Sequence, residues 1–271
     1  MNSDNFVLPP LMRFFNWTQV IVLTIAASIF FLPDLIRPFW PWAIAPFNAG
    51  YVGAVYVASL VPALLMTLYS RWAPARIVIS MLFVFTVIVL AITFLHLDQF
   101  NFHEPIAWGW IFFYTILPIN CAYHLWLFRK ESPAEAYPTS QRWRYFLFLF
   151  ALLIGLYGLA LIIAPIPASS FWPWSIDAFH GQMYSSTFIT VAVGCYLIAR
   201  QAASAEWKTL GLTLIALGVF SIVGILMVNG TVPLDRKVNW SLAGTWAWFA
   251  LMATIATTGM MMLINSNRKV L

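Results

Sequence analysis

Four histidines, nine acids and two cysteines are all that 271 residues offer for proton transfer, metal binding or nucleophilic attack, and they are unevenly placed. His96, Asp98, His103 and Glu104 share one short stretch, and Asp177 and His180 share another. Imidazole and carboxylate together suit zinc, copper or iron, so His96, Asp98, His103, Glu104 and His180 hold enough donors for a site of three or four bonds. Their spacing supports a metal less well than their number does. His96 and Asp98, two residues apart, do not share a helix face, and no two histidines stand at i, i+4. The same groups serve as helix caps, solvated loop side chains or hydrogen-bond partners.

His180 also heads a second pattern. His180, Tyr184 and Thr187 fall at i, i+4 and i+7, with Gln182, Ser185 and Ser186 beside them, so one face of an otherwise apolar segment is polar. A lipid-facing surface leaves such a stripe unsatisfied, so it points to the polar end of a ligand pocket or to hydrogen bonds with a neighbouring helix. Asn120 and His124 form another i, i+4 pair beside Pro118, which reads as a buried, hydrogen-bonded histidine. Met260, Met261 and Met262 point in three directions around a helix and read as packing. Cys121 and Cys195 lie in apolar stretches and form no C-x-x-C motif. Walker, G-x-S-x-G, H-E-x-x-H and G-x-G-x-x-G patterns are absent.

The elements that carry these residues follow from composition. With 62% hydrophobic and 8% charged residues, the chain expects a lipid solvent. Hydropathy predicts an all-α, polytopic bundle with eight spans near 17–36, 48–70, 76–96, 106–128, 144–165, 179–200, 208–229 and 242–265. The predicted organisation is a cytoplasmic segment over 1–16, a four-helix unit over 17–128, a linker over 129–143, a second four-helix unit over 144–265 and a tail over 266–271. The first apolar stretch is too long for a signal-peptide core and reads as a retained helix. Short connections leave no room for an appended catalytic or nucleic-acid-binding domain, and topology explains the net charge of +5. Arg13, Arg71, Arg76, Arg129, Lys130, Arg142, Arg144, Arg200, Lys208, Arg268 and Lys269 fall on one side, against Arg37, Arg236 and Lys237 on the other. Eleven against three puts both termini in the cytoplasm. No charge lies in the middle of a span, which argues against a proton-coupled antiporter, a pump with a buried counter-ion or a voltage sensor. Paired transmembrane haem fails too, because only His124 lies well inside a span.

Phe39-Trp40-Pro41-Trp42 with Ile44 and Phe47 recurs as Phe171-Trp172-Pro173-Trp174 with Ile176 and Phe179, six identities in nine positions at an offset of 132. Trp108 and Trp240 share that offset. Matched Trp-Pro-Trp segments indicate a duplication, and an even number of spans per copy makes the copies parallel, with a site expected at their interface. At the same offset, His180, Tyr184 and Thr187 correspond to Asn48, Val52 and Val55, so one copy supplies polar contacts and the other close packing. Trp42, Trp174, Trp108 and Trp240 either anchor interfacial turns or wall a lipid, quinone or pigment ring. With His96-Leu97-Asp98 and Phe100, these segments resemble uncharacterised bacterial multi-pass membrane proteins with paired F-W-P-W segments. The resemblance covers most of the chain, implies a bacterial inner (plasma) membrane and implies no activity; the second H-L-D-x-F counterpart is missing, positions 228–232 reading Val-Asn-Gly-Thr-Val.

Three classes remain open. One is a protein that binds or transports an apolar or neutral small molecule or lipid at the interface between repeats, near the extracytoplasmic face. Another is an accessory subunit of a respiratory or photosynthetic complex. The third is a metal-assisted membrane enzyme. The sequence names no cofactor. The partners it implies are membrane lipid and either a larger membrane complex or a second copy, with no nucleic acid.

Overall fold

A computed structural model describes residues 5–131 and 137–266. Ser132, Pro133 and Glu135 of the linker, and Arg268 and Lys269 of the tail, lie outside the described residues. Eight helices are long and apolar enough to cross a membrane: α1 (Pro10–Phe31), α2 (Pro46–Tyr69), α3 (Trp72–Leu95), α4 (Pro105–Leu127), α5 (Gln141–Ile163), α6 (Ala178–Arg200), α7 (Ser204–Thr231) and α8 (Ala243–Ser266). The chain is a multi-pass, helical membrane protein.

Proline sets several of the boundaries. Pro10, Pro46 and Pro105 stand in the first turns of α1, α2 and α4, where the missing N–H costs nothing and φ is already helical. Leu32 and Ala164 each precede a proline and leave the helical region, with φ −132° and −138°. That is why α1 runs over 10–31 rather than the expected 17–36: it starts on Pro10, and Pro33 ends it and opens a separate turn, Pro33–Ile36. A matching turn, Pro165–Ser169, follows α5. Pro62 and Pro118 lie inside α2 and α4, and both helices continue through them.

Helices α2 and α6 are the most enclosed, with 67% and 72% of their apolar windows buried against 22% for α4, so they form the interior. α1 packs on α2, α5 on α6, α3 on α4 and α7 on α8, giving four antiparallel hairpins. Between hairpins the main contacts are α2 with α7 and α3 with α6, and the contacts of α2 with α3 and α6 with α7 are slight. In lipid, helices associate through close packing rather than hydrophobic burial, so the crossings need small residues. A Cβ on Gly224 would stand 2.9 Å from the Gly50 carbonyl oxygen, which fixes how near α7 comes to α2. Gly211 and Gly259 do the same for α7 and α8, a Cβ on Gly211 meeting the Gly259 carbonyl at 2.9 Å. Outward faces stay apolar, as Phe14, Trp17, Ile21 and Ile25 on α1 and Leu149, Leu152, Leu153 and Leu156 on α5 show.

The two ends of the bundle differ. At one, the segments carrying Trp42 and Phe100 join through an isolated β-bridge, and Asn101 N–H donates to the Pro41 carbonyl at 3.0 Å. At the other, Trp72 N–H donates to Phe6 O at 3.1 Å, and a short antiparallel pair, Tyr137–Pro138 with Gln201–Ala202, ties the linker to the α6–α7 turn.

Candidate functional site

The start of α6 organises the tryptophan-rich end. Asp177 caps the helix, its Oδ1 accepting from His180 N–H at 2.8 Å, and its Oδ2 lies 2.7 Å from His180 Nδ1. Burial works to raise the Asp177 carboxyl, but the hydrogen bonds and charge of His180 outweigh it and hold the group below the ordinary aspartate value. A carboxylate only accepts, so Nδ1 carries the proton and Nε2 is a bare acceptor. The Trp42 indole N–H fills that place, 3.1 Å from Nε2. The reciprocal bond runs the other way across the bundle: the Trp174 indole donates to Asn48 Oδ1 at 2.8 Å. Trp42 and Trp174 are 132 residues apart, and so are Asn48 and His180.

Two aromatic clusters surround these bonds. Trp42 meets Trp110 at 4.9 Å, Phe179 at 5.2 Å and Phe100 at 5.3 Å, all edge-on. Trp174 meets Trp172 at 4.9 Å and Trp248 at 5.4 Å. Trp172 lies parallel to Tyr184 and donates its indole N–H to the Tyr157 hydroxyl at 2.5 Å. The expected approach of Trp108 and Trp240 does not occur. Trp108 is 60% exposed and bonds to Phe102 O, and Trp240 is 39% exposed and accepts from Trp246 through its carbonyl. Trp110 and Trp248 take their place. These two stand 138 residues apart, because α7 has 28 residues against 24 in α3 and the connection after it is also longer, which shifts the register by six.

The polar stripe faces inward, with His180, Tyr184 and Thr187 all buried. Tyr184, Ser186 and Thr187 line a small cavity of about 40 Å³, with Trp42, Val52, Val55, Tyr56, Phe85, Val89, Trp110, Tyr114 and Met183 forming the rest of its wall. The Tyr56 and Tyr114 hydroxyls bond to each other at 3.1 Å, and Ser186 bonds to the Met183 carbonyl at 2.6 Å. Of the buried polar atoms without a partner among the described residues, one, the Tyr184 hydroxyl, belongs to a residue that lines this cavity. Outside the cavity, an open crevice of about 710 Å³ is lined by Asp34, Arg37, Trp40, Trp42, Asp98, Gln99 and Asn101. Gln182 is turned away from the cavity, bridging His96 Nε2 at 2.6 Å and the Ile162 carbonyl at 2.9 Å.

The metal-type residues are not brought together. Among the described residues, no three of His, Cys, Asp and Glu form a group able to hold a metal. His180 has both ring nitrogens engaged, His96 gives Nε2 to Gln182, and Asp98 and His103 are exposed in the loop, Asp98 accepting from Gln99 at 2.8 Å. His124 is 2% exposed and its Nδ1 lies 2.9 Å from the Asn120 carbonyl, so the i, i+4 partner is backbone rather than amide.

One polar pair at the far end has no counterpart in the sequence reading. Arg76 of α3 grips Glu206 of α7, Nε to Oε1 at 2.7 Å and Nη2 to Oε2 at 2.9 Å, and Glu206 is fully buried. Arg76 reads as a topogenic cation in the sequence. Glu206 is the signal, an acid in the first turn of a helix at the cation-rich end. No protein-family model matches the chain, and no curated protein or solved structure shows significant similarity to it.

Proposed function

We propose that this is a bacterial inner-membrane protein that binds a small apolar or neutral molecule, or a lipid, between two parallel four-helix repeats, near the extracytoplasmic face and with both termini cytoplasmic. The repeat reading is supported by hairpin pairings that keep their form when the halves are exchanged, and by the Trp42–His180 and Trp174–Asn48 bonds at one common offset. The single observation that carries the binding reading is a cavity lined by Tyr184, a residue whose buried hydroxyl has no partner among the described residues. A buried hydroxyl without a partner costs about 1–3 kcal/mol, which an occupant with a carbonyl or hydroxyl removes. Among the described residues no charged side chain lines this cavity, which suits a neutral occupant. At about 40 Å³ the cavity holds roughly two or three waters as it stands, so a larger ligand has to widen it, and Trp42 is shared with the 710 Å³ crevice.

Solvent extraction of protein purified in mild detergent, followed by mass spectrometry, tests this. The wild type should yield one species near one per chain, and Val55→Trp, which fills the cavity, should lose at least nine-tenths of it while keeping the helical spectrum. Equal recovery from both overturns the reading. Purification within a larger assembly, with nothing extractable, supports the accessory-subunit alternative instead.

A further inference from the structure

We propose that Trp42 is a door between the outer crevice and the inner cavity, and that a proton arriving at His180 Nε2 unlatches it. The inference rests on the binding reading above and adds its regulation. Trp42 is the residue that lines both spaces, and it is 5% exposed. Its ring is held by edge contacts and by one polar tie, the indole N–H to Nε2. That tie exists only while Nε2 is bare. A proton there sets two N–H donors face to face and ends the bond, and the imidazolium still keeps its partner Asp177. Acid therefore removes the tie to Trp42 while strengthening the dyad beneath it. The 710 Å³ crevice in front of the indole gives the ring room to swing outward.

The groups around His180 allow this. On its own helix stand Asp177 and Tyr184, the Tyr184 ring centroid at 5.9 Å. From the segment after α3 comes His96, packed on Phe179 and bonded to Gln182. α2 presents Tyr51 against Tyr184 and Tyr56 on the cavity wall, and α4 presents Tyr114. The charged groups beyond Trp42 are Asp34, Arg37 and Asp98, all on the crevice side. Asp177 is the carboxylate in contact with the imidazole. The other half carries a built-in control: Trp174 donates to Asn48, an amide that takes up no proton over the same range, and it lines neither space.

The test needs no ligand. Protein labelled with 5-fluorotryptophan gives fluorine resonances, that of Trp42 being assigned by its loss in Trp42→Phe and that of Trp174 likewise. Between pH 8 and pH 5 the Trp42 resonance should move in a single sigmoid and gain a water/deuterium-oxide isotope shift, while Trp174 stays fixed. His180→Asn, which copies the Asn48 arrangement, should hold Trp42 at its pH 8 position throughout. Asp177→Asn removes the anion that favours the imidazolium and should move the transition to lower pH. A Trp42 signal that is flat with pH, that titrates equally in His180→Asn, or that moves together with Trp174 overturns the door. Failure of the extraction experiment with a titrating Trp42 removes the binding reading alone.

Discussion

Removing either partner of the Arg76–Glu206 pair should destabilise the bundle unequally. The Glu206 side chain is 0% exposed and Arg76 is 22% exposed. Arg76→Ala strands a carboxylate with no route to water, a loss of about 3–5 kcal/mol. Glu206→Ala strands a guanidinium that can turn outward, and it leaves the Ala203 N–H, which donates to Oε2 at 2.9 Å, without its acceptor, about 1–3 kcal/mol. Replacing both by methionine removes the charges together and should cost only what the unpartnered Ala203 N–H costs, about 1–3 kcal/mol. For a chain of this size 1 kcal/mol moves the melting temperature by about 2–4 °C, so Arg76→Ala should lower it by roughly 6–20 °C and Glu206→Ala by less. Thermal unfolding in detergent, followed by tryptophan fluorescence, reads all three. An arginine variant milder than the glutamate variant, or a double variant as poor as the sum of the singles, would refute the reasoning.

Gly224→Leu forces a side chain against the Gly50 carbonyl and the Phe30 ring, each already 2.9 Å from a bare Cβ, and should cost at least about 1–3 kcal/mol in the same assay. Trp174→Phe leaves the buried Asn48 oxygen without its donor and should cost about 1–3 kcal/mol, whereas Trp108→Phe at an exposed position should cost under about 1 kcal/mol. Asp177 is held below the ordinary aspartate value in the fold, so its contribution is complete above about pH 4 and fades as pH falls through that lower folded value. Asp177→Asn should flatten this part of the stability profile, and the change is small because the side chain is 60% exposed. Cys121 and Cys195 are 0% exposed, so a maleimide should label neither until the protein is denatured.

What could be read from the sequence was whatever depends on local pattern. The eight spans were legible because membrane helices must be long and apolar. The α6 stripe was legible because polar residues in such a helix have few places to go, and His180, Tyr184 and Thr187 do face inward. The pairing of Asn48 with His180 at offset 132 was visible, but not the crossed indole bonds that give it meaning, since those depend on how the hairpins meet. Trp110 and Trp248 were hidden by a six-residue slip in register, which made Trp108 and Trp240 look equivalent. Glu206 was hidden because a charge near a helix end is normally solvated, and only the approach of α3 to α7 buries it.

The hairpin arrangement bears on how such a chain is made. Residues 5–131 and 137–266 each contain two hairpins that scarcely touch one another, and the main contacts between hairpins, α2 with α7 and α3 with α6, run from one set to the other. The half synthesised first therefore waits in the bilayer with its glycine-lined grooves open, a natural client for an insertion chaperone. The same interleaving means that the halves, expressed as separate polypeptides, should find each other and rebuild the protein, whereas either one alone should be degraded.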